Sequence, residues 1–262
     1  MTVGGSAHVP TPGSVHAPIL GRVHAPGRTE GEDETVVRTL IGRLAAGDLA
    51  RARSALVVVD LQVLDAAADG EHAQRARELG RWTELEEYFA RVAALVAPNV
   101  RRLARALRER ELPVIYVRCR SLTPDARDNG RRFRDFGIAV ASDDPQAEIL
   151  PELEVLPGDF LLDKTTASPF WSTAIERLLR QLEIETLLVS GVVTSGCVES
   201  TVRDACDLDY RVVLVEDACA DRRPELHVDA VRRLDDNFAV VLCTDAVLER
   251  VGAGTLERSA DD

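Results

Sequence analysis

Short apolar runs alternate with helical stretches along most of this chain, and that alternation constrains the fold more than any other feature. The apolar runs, each predicted to be a strand, cover residues 54–60, 113–118, 160–163, 186–191, 211–215 and 239–243. Segments with apolar residues at helical spacing lie between them, at 84–110, where an interruption is expected near Pro98, and at 172–182, 197–208 and 224–236. Such alternation is typical of βαβ units, whose strands pair in parallel through right-handed crossovers. We therefore predict an α/β protein with a three-layer α/β/α Rossmann-like fold and a mostly parallel central sheet of about six strands.

The start of the chain has a different composition. Residues 1–32 are rich in Pro, Gly and His and contain too few large apolar residues to form a core. We predict a flexible N-terminal arm over 1–32 and one folded domain over 33–262. The domain is expected to begin with an amphipathic helix at 33–50.

Charge and cysteine content exclude several classes of protein. The formal net charge is −12, whereas proteins that bind nucleic acids usually present a basic surface. No apolar run reaches the roughly 20 residues that a membrane helix needs, and the first residues do not resemble a signal peptide. The five cysteines are scattered without CxxC spacing, which favours free thiols in a reducing compartment. We expect a cytoplasmic protein that binds neither nucleic acid nor membrane.

Lysine usage singles out one position. Of the 32 Lys plus Arg residues, Lys164 is the only lysine. In a chain that uses arginine almost everywhere, a retained lysine indicates a place where a compact ammonium is needed and a planar guanidinium would fail.

Three polar residues follow predicted strands. Asp60 ends the first strand, Lys164 follows the strand FLLD, and Cys197 follows the strand TLLVSG after a short loop and should begin a helix. Because parallel strands place their carboxyl ends at one edge of a sheet, we expect the three side chains to lie close together.

These residue types suit nucleophilic catalysis. A thiol at a helix N-terminus ionises more readily than a free thiol, and a nearby ammonium strengthens the effect. An aspartate can take the thiol proton and return it to a leaving amine. Each residue alone has a simpler interpretation, as core packing for the cysteine or as a cap for the aspartate. The other cysteines, 119, 206, 219 and 243, lack the turn-to-helix setting and are expected to be structural.

Three segments resemble a known family. The segments are VVVDLQ at 57–62, DKTTASPFWST at 163–173 and SGVVTSGCVESTVRDACDLDYRVVLVEDACAD at 190–221. They resemble the cysteine-containing branch of the isochorismatase-like hydrolases, over about residues 52–250. The third segment is the most specific, since GxxTxxCVxxTxxDA followed by VxLVxDA is close to a family signature.

The resemblance implies roles for individual residues. Asp60 would be the general base, Lys164 its charge partner, and Cys197 the nucleophile that forms an acyl-enzyme. The peptide bond between Val192 and Val193 would be cis, and the backbone amides of Val193 and Cys197 would form an oxyanion hole.

Departures from relatives narrow the chemistry. Metal-dependent nicotinamidases carry several histidines between the catalytic Asp and Lys, but His72 is the only histidine between Asp60 and Lys164. We therefore predict no metal and no cofactor. The presence of Cys197 favours amide-type chemistry over vinyl ether hydrolysis. The frequent Asn-Asp-Phe after Asp-x-Gln is absent here, which leaves the front of the pocket around Gln62 undefined.

Four residues are candidates for contact with the substrate, namely Gln62, Arg118, Phe170 and Trp171. An arginine could bind a carboxylate through two hydrogen bonds, and the aromatic pair could line an apolar pocket. Other arginines on the loop after the second strand could serve equally; these are Arg120, Arg127, Arg131 and Arg132. A solvated loop and ordinary core aromatics are the simpler interpretations.

The sequence thus predicts a cysteine-dependent hydrolase that cleaves a non-peptide C–N bond in a small amide, ureido or carbamoyl compound. Like members of the family it resembles, it is expected to form a homo-oligomer, a dimer or a tetramer. Two alternatives stay open: a metal-free, nicotinamidase-like amidase and a catalytically silent, oligomeric binding protein of the same fold. A dinucleotide-binding protein is disfavoured because no GxGxxG follows the first strand.

Overall fold

The computed structural model describes residue 49 and residues 53–253. The predicted arm at 1–32 and, apart from residue 49, the predicted helix at 33–50 lie outside the described residues. The described part contains six strands and nine α-helices. The strands are β1 Ser54–Val59, β2 Val114–Cys119, β3 Phe160–Lys164, β4 Thr186–Val192, β5 Arg211–Ala220 and β6 Val240–Leu242. The helices are α1 Val63–Ala66, α2 Glu71–Glu78, α3 Glu86–Arg91, α4 Ala97–Arg108, α5 Arg131–Asp135, α6 Ile175–Gln181, α7 Glu199–Asp207, α8 Pro224–Leu234 and α9 Thr244–Ala253.

All six strands pair in parallel, in the order β3-β2-β1-β4-β5-β6. The predicted α/β fold and its parallel sheet are confirmed. β1 lies at the centre and is buried on both faces, as its continuous apolar sequence indicates. The order changes direction at β1, so the loops after β1 and β4 diverge and leave a crevice at the carboxyl ends of these strands.

Successive residues of the central strands point to opposite faces of the sheet and build two cores. Leu56 and Val58 of β1 contribute to the core beneath α3, α4 and α9. Ala55 and Val57 contribute to the core beneath α6, α7 and α8. Helices therefore cover both faces, which gives the three predicted layers.

Helix boundaries differ from the sequence prediction at one proline. The predicted helix at 84–110 was expected to be interrupted near Pro98. Instead, a π-helical turn at Val92–Val96 leads into α4, and Pro98 falls in the first turn of that helix, where its missing N–H costs no hydrogen bond. The sequence prediction did not include α1, α2, α5 and α9, of which α5 lies on the loop predicted after the second strand. In the described residues, no helix is long and apolar enough to cross a membrane.

Candidate active site

Three strand ends bring the predicted polar residues together. Asp60 follows β1 directly, Lys164 is the last residue of β3, and Cys197 lies in a π-helical turn, Thr194–Val198, between β4 and α7. The Lys164 Nζ atom is 2.9 Å from Asp60 Oδ2 and 3.4 Å from Cys197 Sγ. A third hydrogen bond, of 3.0 Å, joins Nζ to the carbonyl oxygen of Thr166. The ammonium therefore bridges a carboxylate and a thiol, the arrangement that nucleophilic catalysis needs.

The charged pair is enclosed by protein. Lys164 is 0% exposed and Asp60 is 4% exposed. Burial raises the pKa of the Asp60 carboxyl, although Lys164 opposes that shift. Burial alone would lower the pKa of Lys164, but Asp60 and two sulfur atoms hold it well above its usual value. Lys164 thus stays an ammonium, and burial shifts the pKa of Asp60 in the direction that suits a general base.

A close approach of two strands places the turn that carries Cys197. Gly191, near the end of β4, has a φ of 117°, and a Cβ there would lie 2.0 Å from the carbonyl oxygen of Val59. Only glycine fits this contact with β1. The following peptide bond, between Val192 and Val193, is cis. The turn itself contains Gly196, whose backbone is not helical, and Cys197 emerges half-buried.

The side chains of Asp221 and His227 hold the turn that carries Cys197. The backbone N–H of Ser195 donates to Asp221 Oδ2 at 2.7 Å, and Thr194 Oγ1 lies 2.8 Å from His227 Nδ1. Burial, together with the nearby Arg91 guanidinium, lowers the pKa of His227 to about 4. The imidazole is therefore neutral at neutral pH and can donate to Thr194 through Nδ1.

A second thiol, which the sequence prediction treated as structural, belongs to the site. Cys119 ends β2, and its Sγ lies 3.1 Å from Lys164 Nζ and 3.5 Å from Asp60 Oδ1. The neighbouring Cys197, burial and the Asp60 charge raise the pKa of Cys119 well above its usual value, so that it stays a neutral thiol. Its position at the end of a strand is the same signal that identified Asp60 and Lys164.

A cleft of about 580 Å³ opens above Cys197. Its inner end is formed by Val193, Ser195, Gly196 and Cys197. Its outer wall comes from α1, from α2 and the segment that follows α2, from the segment between β2 and β3, and from the residues after β5. The wall residues are Asp65, His72, Arg75, Ala76, Leu79, Arg81, Glu84, Leu85, Arg132, Phe136, Ile138 and Arg222.

Cation excess characterises the wall of this cleft. Four arginines face two acidic residues, Asp65 and Glu84, in a chain whose overall charge is −12. Arg81 pairs with Glu84, and Arg222 pairs with Asp65. The other two, Arg75 and Arg132, form no ion pair with another described residue and are exposed. The cleft therefore offers an anion two guanidinium groups without an ion pair, one of which, that of Arg132, lies 5.6 Å from the centre of the Phe136 ring.

An ion cluster joins separate segments of the cleft wall. Asp65 Oδ1 lies 2.7 Å from Arg222 Nη2 and 2.9 Å from His72 Nδ1. The second ring nitrogen, Nε2 of His72, lies 3.2 Å from the carbonyl oxygen of Gly137. Burial alone would lower the pKa of His72, but hydrogen bonding to Asp65 and the charge of Asp65 raise it on balance. Since both ring nitrogens face acceptors, the imidazolium form makes both contacts.

Two polar residues predicted to contact substrate are committed elsewhere. The Gln62 amide bonds the backbone of Cys119, accepting from its N–H at 2.6 Å and donating to its carbonyl at 3.1 Å. Arg118 is buried, and its guanidinium pairs with Asp163 at 2.7 Å and Glu148 at 2.8 Å. Neither is among the described residues that line the cleft. In this structure each side chain fastens strand ends together, and substrate contact by either residue stays a prediction.

The predicted aromatic pair also lies outside the cleft. Phe170 packs against the core that contains α6 and α7, with its ring 6.2 Å from that of Tyr210. Trp171 is 77% exposed and does not line the cleft. Of the arginines on the loop after β2, only Arg132 reaches the lining. The apolar part of the cleft is formed instead by Leu79, Phe136 and other residues that do not lie at strand ends, the position from which the sequence prediction selected site residues.

Known proteins match this chain across its described core. The sequence profile of the Isochorismatase domain matches residues 54–246. The ureidoacrylate amidohydrolase RutB of Pantoea ananatis is 27% identical over 256 residues, which cover 87% of this chain and 98% of that protein. The N-carbamoylsarcosine amidase of an Arthrobacter species is 29% identical over 163 residues, which cover 60% of this chain and 62% of the relative.

Solved structures give the same picture. A crystal structure of an isochorismatase family protein from Desulfovibrio vulgaris superposes with a TM-score of 0.64 at 27% identity, covering 78% of this chain and 100% of that one. The N-carbamoylsarcosine amidase from Thermoplasma acidophilum superposes with a TM-score of 0.55 at 28% identity, covering 73% and 96%. Proteins of this fold thus include enzymes named for cleaving carbamoyl compounds.

Proposed function

This chain belongs to the isochorismatase family, and we propose that it uses Cys197 to hydrolyse a non-peptide C–N bond in a small amide, ureido or carbamoyl compound. The observation that carries the proposal is the buried Lys164 ammonium, which lies between the Asp60 carboxylate and the Cys197 sulfur at the inner end of a cleft. The names of the two curated relatives, both amidohydrolases or amidases, support the same chemistry.

The first half of the reaction forms an acyl-enzyme. Asp60 takes the thiol proton of Cys197 while Lys164 stabilises the resulting thiolate. The sulfur attacks the carbonyl carbon, and the carbonyl oxygen becomes an oxyanion. We assign its stabilisation to the backbone amides of Val193 and Cys197, each of which would be worth about 3 kcal/mol in the transition state. The C–N bond then breaks, and Asp60 returns its proton to the leaving nitrogen.

The second half regenerates the thiol. Water enters from the cleft, gives its proton to Asp60 and attacks the thioester or thiocarbamate carbon. The carbon–sulfur bond breaks, and the proton returns to Cys197. The raised pKa of Asp60 fits both halves, because the same carboxyl must accept a proton and release it in each.

The substrate class can be narrowed by charge. Arg75 and Arg132 lie on the wall without an ion pair to another described residue, and the cleft lining contains four arginines and two acidic residues. We propose a substrate that bears a carboxylate at the end remote from the scissile bond, where a guanidinium can bind it through two hydrogen bonds. An apolar or unsaturated middle section would pack against Leu79 and Phe136.

Assembly and location complete the proposal. We propose a homo-oligomer, a dimer or tetramer, located in the cytoplasm. Light scattering after size-exclusion chromatography tests the assembly, and a single peak at the 28.6 kDa mass of one chain would contradict it.

Ammonia release from a substrate panel tests the function. The panel pairs carbamoyl amino acids and ureido acids with the same compounds lacking the carboxylate, and it includes nicotinamide. We expect release from at least one carboxylate-bearing ureide, abolished by Cys197→Ala and retained by Cys206→Ala. Nicotinamide turnover alone would favour the nicotinamidase-like alternative. Absence of turnover, together with a Cys197 no more reactive toward iodoacetamide than a model thiol, would favour the silent binding protein.

A further inference from the structure

The Lys164 ammonium has more acceptors than protons. Its Nζ atom lies 2.9 Å from Asp60 Oδ2, 3.0 Å from the Thr166 carbonyl, 3.1 Å from Cys119 Sγ and 3.4 Å from Cys197 Sγ. An ammonium has three protons. The two oxygens take two of them, so the two sulfurs compete for the third. In the geometry described, the nearer sulfur is that of Cys119.

Cys119 is held firmly in this position. Its N–H donates to Gln62 Oε1 at 2.6 Å, and its carbonyl accepts from Gln62 Nε2 at 3.1 Å. The residue is 5% exposed and lies at the end of β2, which pairs with both β1 and β3. The sulfur therefore keeps its contact with Lys164 while the cleft above Cys197 fills and empties.

We propose that Cys119 is a positioning residue. In the resting site its sulfur accepts the third N–H hydrogen bond of Lys164, and that hydrogen bond passes to the Cys197 sulfur when Cys197 ionises. The inference rests on the proposed function, since it takes Cys197 as the nucleophile. No covalent bond forms at Cys119. The only change is the acceptor of one N–H bond, which passes from one sulfur to the other.

The strength of the two sulfur acceptors drives the exchange. A neutral thiol is a weak acceptor, whereas a thiolate accepts a charge-assisted hydrogen bond about twice as strong as a neutral one. Cys119 also donates its S–H to Asp60 Oδ1, at 3.5 Å, and so occupies part of the general base until Cys197 needs it. The described titratable groups that face Cys119 are Asp60, Lys164 and Cys197.

Substitution of Cys119 by alanine and by serine should therefore shift the pH at which Cys197 ionises in opposite directions. In Cys119→Ala no second sulfur competes for the third N–H of Lys164. The Cys197 thiolate therefore accepts that hydrogen bond, and Cys197 ionises at lower pH. Cys119→Ser supplies a hydroxyl, which accepts from Lys164 and donates to Asp60 more strongly than a thiol does, so ionisation of Cys197 requires higher pH. A purely structural role would not separate the two variants in this way.

The rate of iodoacetamide alkylation of Cys197, followed by mass spectrometry of its peptide from pH 5 to pH 10, measures this ionisation without any substrate. The proteins are wild type, Cys119→Ala, Cys119→Ser and a buried control, Cys219→Ser. Cys119→Val, which also lacks an acceptor, replaces the alanine variant if the cavity impairs folding. Cooperative thermal unfolding identifies the folded variants.

We expect the pH midpoint of alkylation to fall in Cys119→Ala and to rise in Cys119→Ser, with about one pH unit between them. The midpoint of Cys219→Ser should match that of wild type. Equal midpoints in the folded variants, or shifts of the alanine and serine variants in the same direction, would overturn the inference and leave the proposed function intact. A wild-type Cys197 no more reactive than a model thiol would overturn the proposed function itself.

Discussion

The inner end and the outer wall of the cleft are built in different ways. Residues at strand ends lie beneath the inner end, with Lys164 fully buried and Asp60 nearly so. The wall consists of side chains on short helices and loops, where Leu79 is 60% exposed and Phe136 is 64% exposed. The ends of β1, β2 and β4 are fixed by hydrogen bonds on both sides and the end of the edge strand β3 by its pairing with β2, whereas wall residues are held by a few side-chain contacts. We propose from this contrast that the strand-end residues carry the chemistry and the wall selects the substrate.

Removing the nucleophile gives the largest expected effect. Cys197→Ala should reduce kcat/KM by about 10⁴-fold or more, the usual loss for a covalent nucleophile. Thermal stability should change little, because Cys197 is only half-buried. Steady-state ammonia release with a sensitive coupled assay measures the loss. A variant with changed KM but unchanged kcat would break the comparison, since the inner end would then act in binding.

Removing the buried cation is expected to cost stability as well as activity. Lys164→Met leaves Asp60 buried without a charge partner, and loss of one member of a buried pair costs about 3–5 kcal/mol of unfolding free energy. Equilibrium urea unfolding at neutral pH measures this cost.

The double variant Asp60→Asn with Lys164→Met separates the two losses. It should regain most of the stability, because no unpaired charge stays buried, and it should stay inactive. A double variant as unstable as Lys164→Met would indicate that shape and packing, rather than charge pairing, hold this site together.

The wall should affect binding instead of chemistry. Arg132→Gln should raise KM for a carboxylate-bearing substrate about tenfold, equivalent to about 1.4 kcal/mol, with little change in kcat. Arg131→Gln is a matched control, because it removes an exposed arginine from the same helix without touching the cleft lining. The same substrate without its carboxylate should not distinguish Arg132→Gln from wild type. A fall in kcat for Arg132→Gln would show that the wall contributes to the chemical step as well as to binding.

The same contrast explains what the sequence could predict. Asp60, Lys164 and Cys197 were identifiable because apolar runs mark buried strands and parallel strands align their ends. Cys119 meets that criterion too, but the prediction demanded a helix start for every functional thiol and so excluded it. Arg75 and Arg132 follow no such rule.

Whether a long arginine side chain reaches a cleft depends on how short helices pack, and local sequence does not encode that packing. The contacts of Arg118 could not be read from local sequence for the same reason. Its position on β2 was predicted correctly, but the ion pairs that occupy its guanidinium come from residues 30 and 45 positions away.

The smallest expected effect concerns a link within the wall. His72 joins Asp65 to the carbonyl of Gly137 and so connects α2 with the loop that carries Phe136. The pKa of His72 is raised in the folded protein, because hydrogen bonding to Asp65 and its charge outweigh the effect of burial. A raised folded-state pKa contributes stability that is fully present below the ordinary histidine pKa, near 6.5, and is lost as pH rises through the folded value.

A pH series of unfolding free energies tests this link. The difference in stability between wild type and His72→Asn should be larger at pH 5.5 than at pH 8.5, by less than about 1 kcal/mol, the usual value of a partly exposed ion pair. Because the link orders the wall and leaves Lys164 untouched, KM should rise in the variant at both pH values while kcat stays the same. If instead kcat followed the protonation of His72, the wall would influence proton transfer at Asp60, and the division between an inner end that reacts and a wall that selects would not hold.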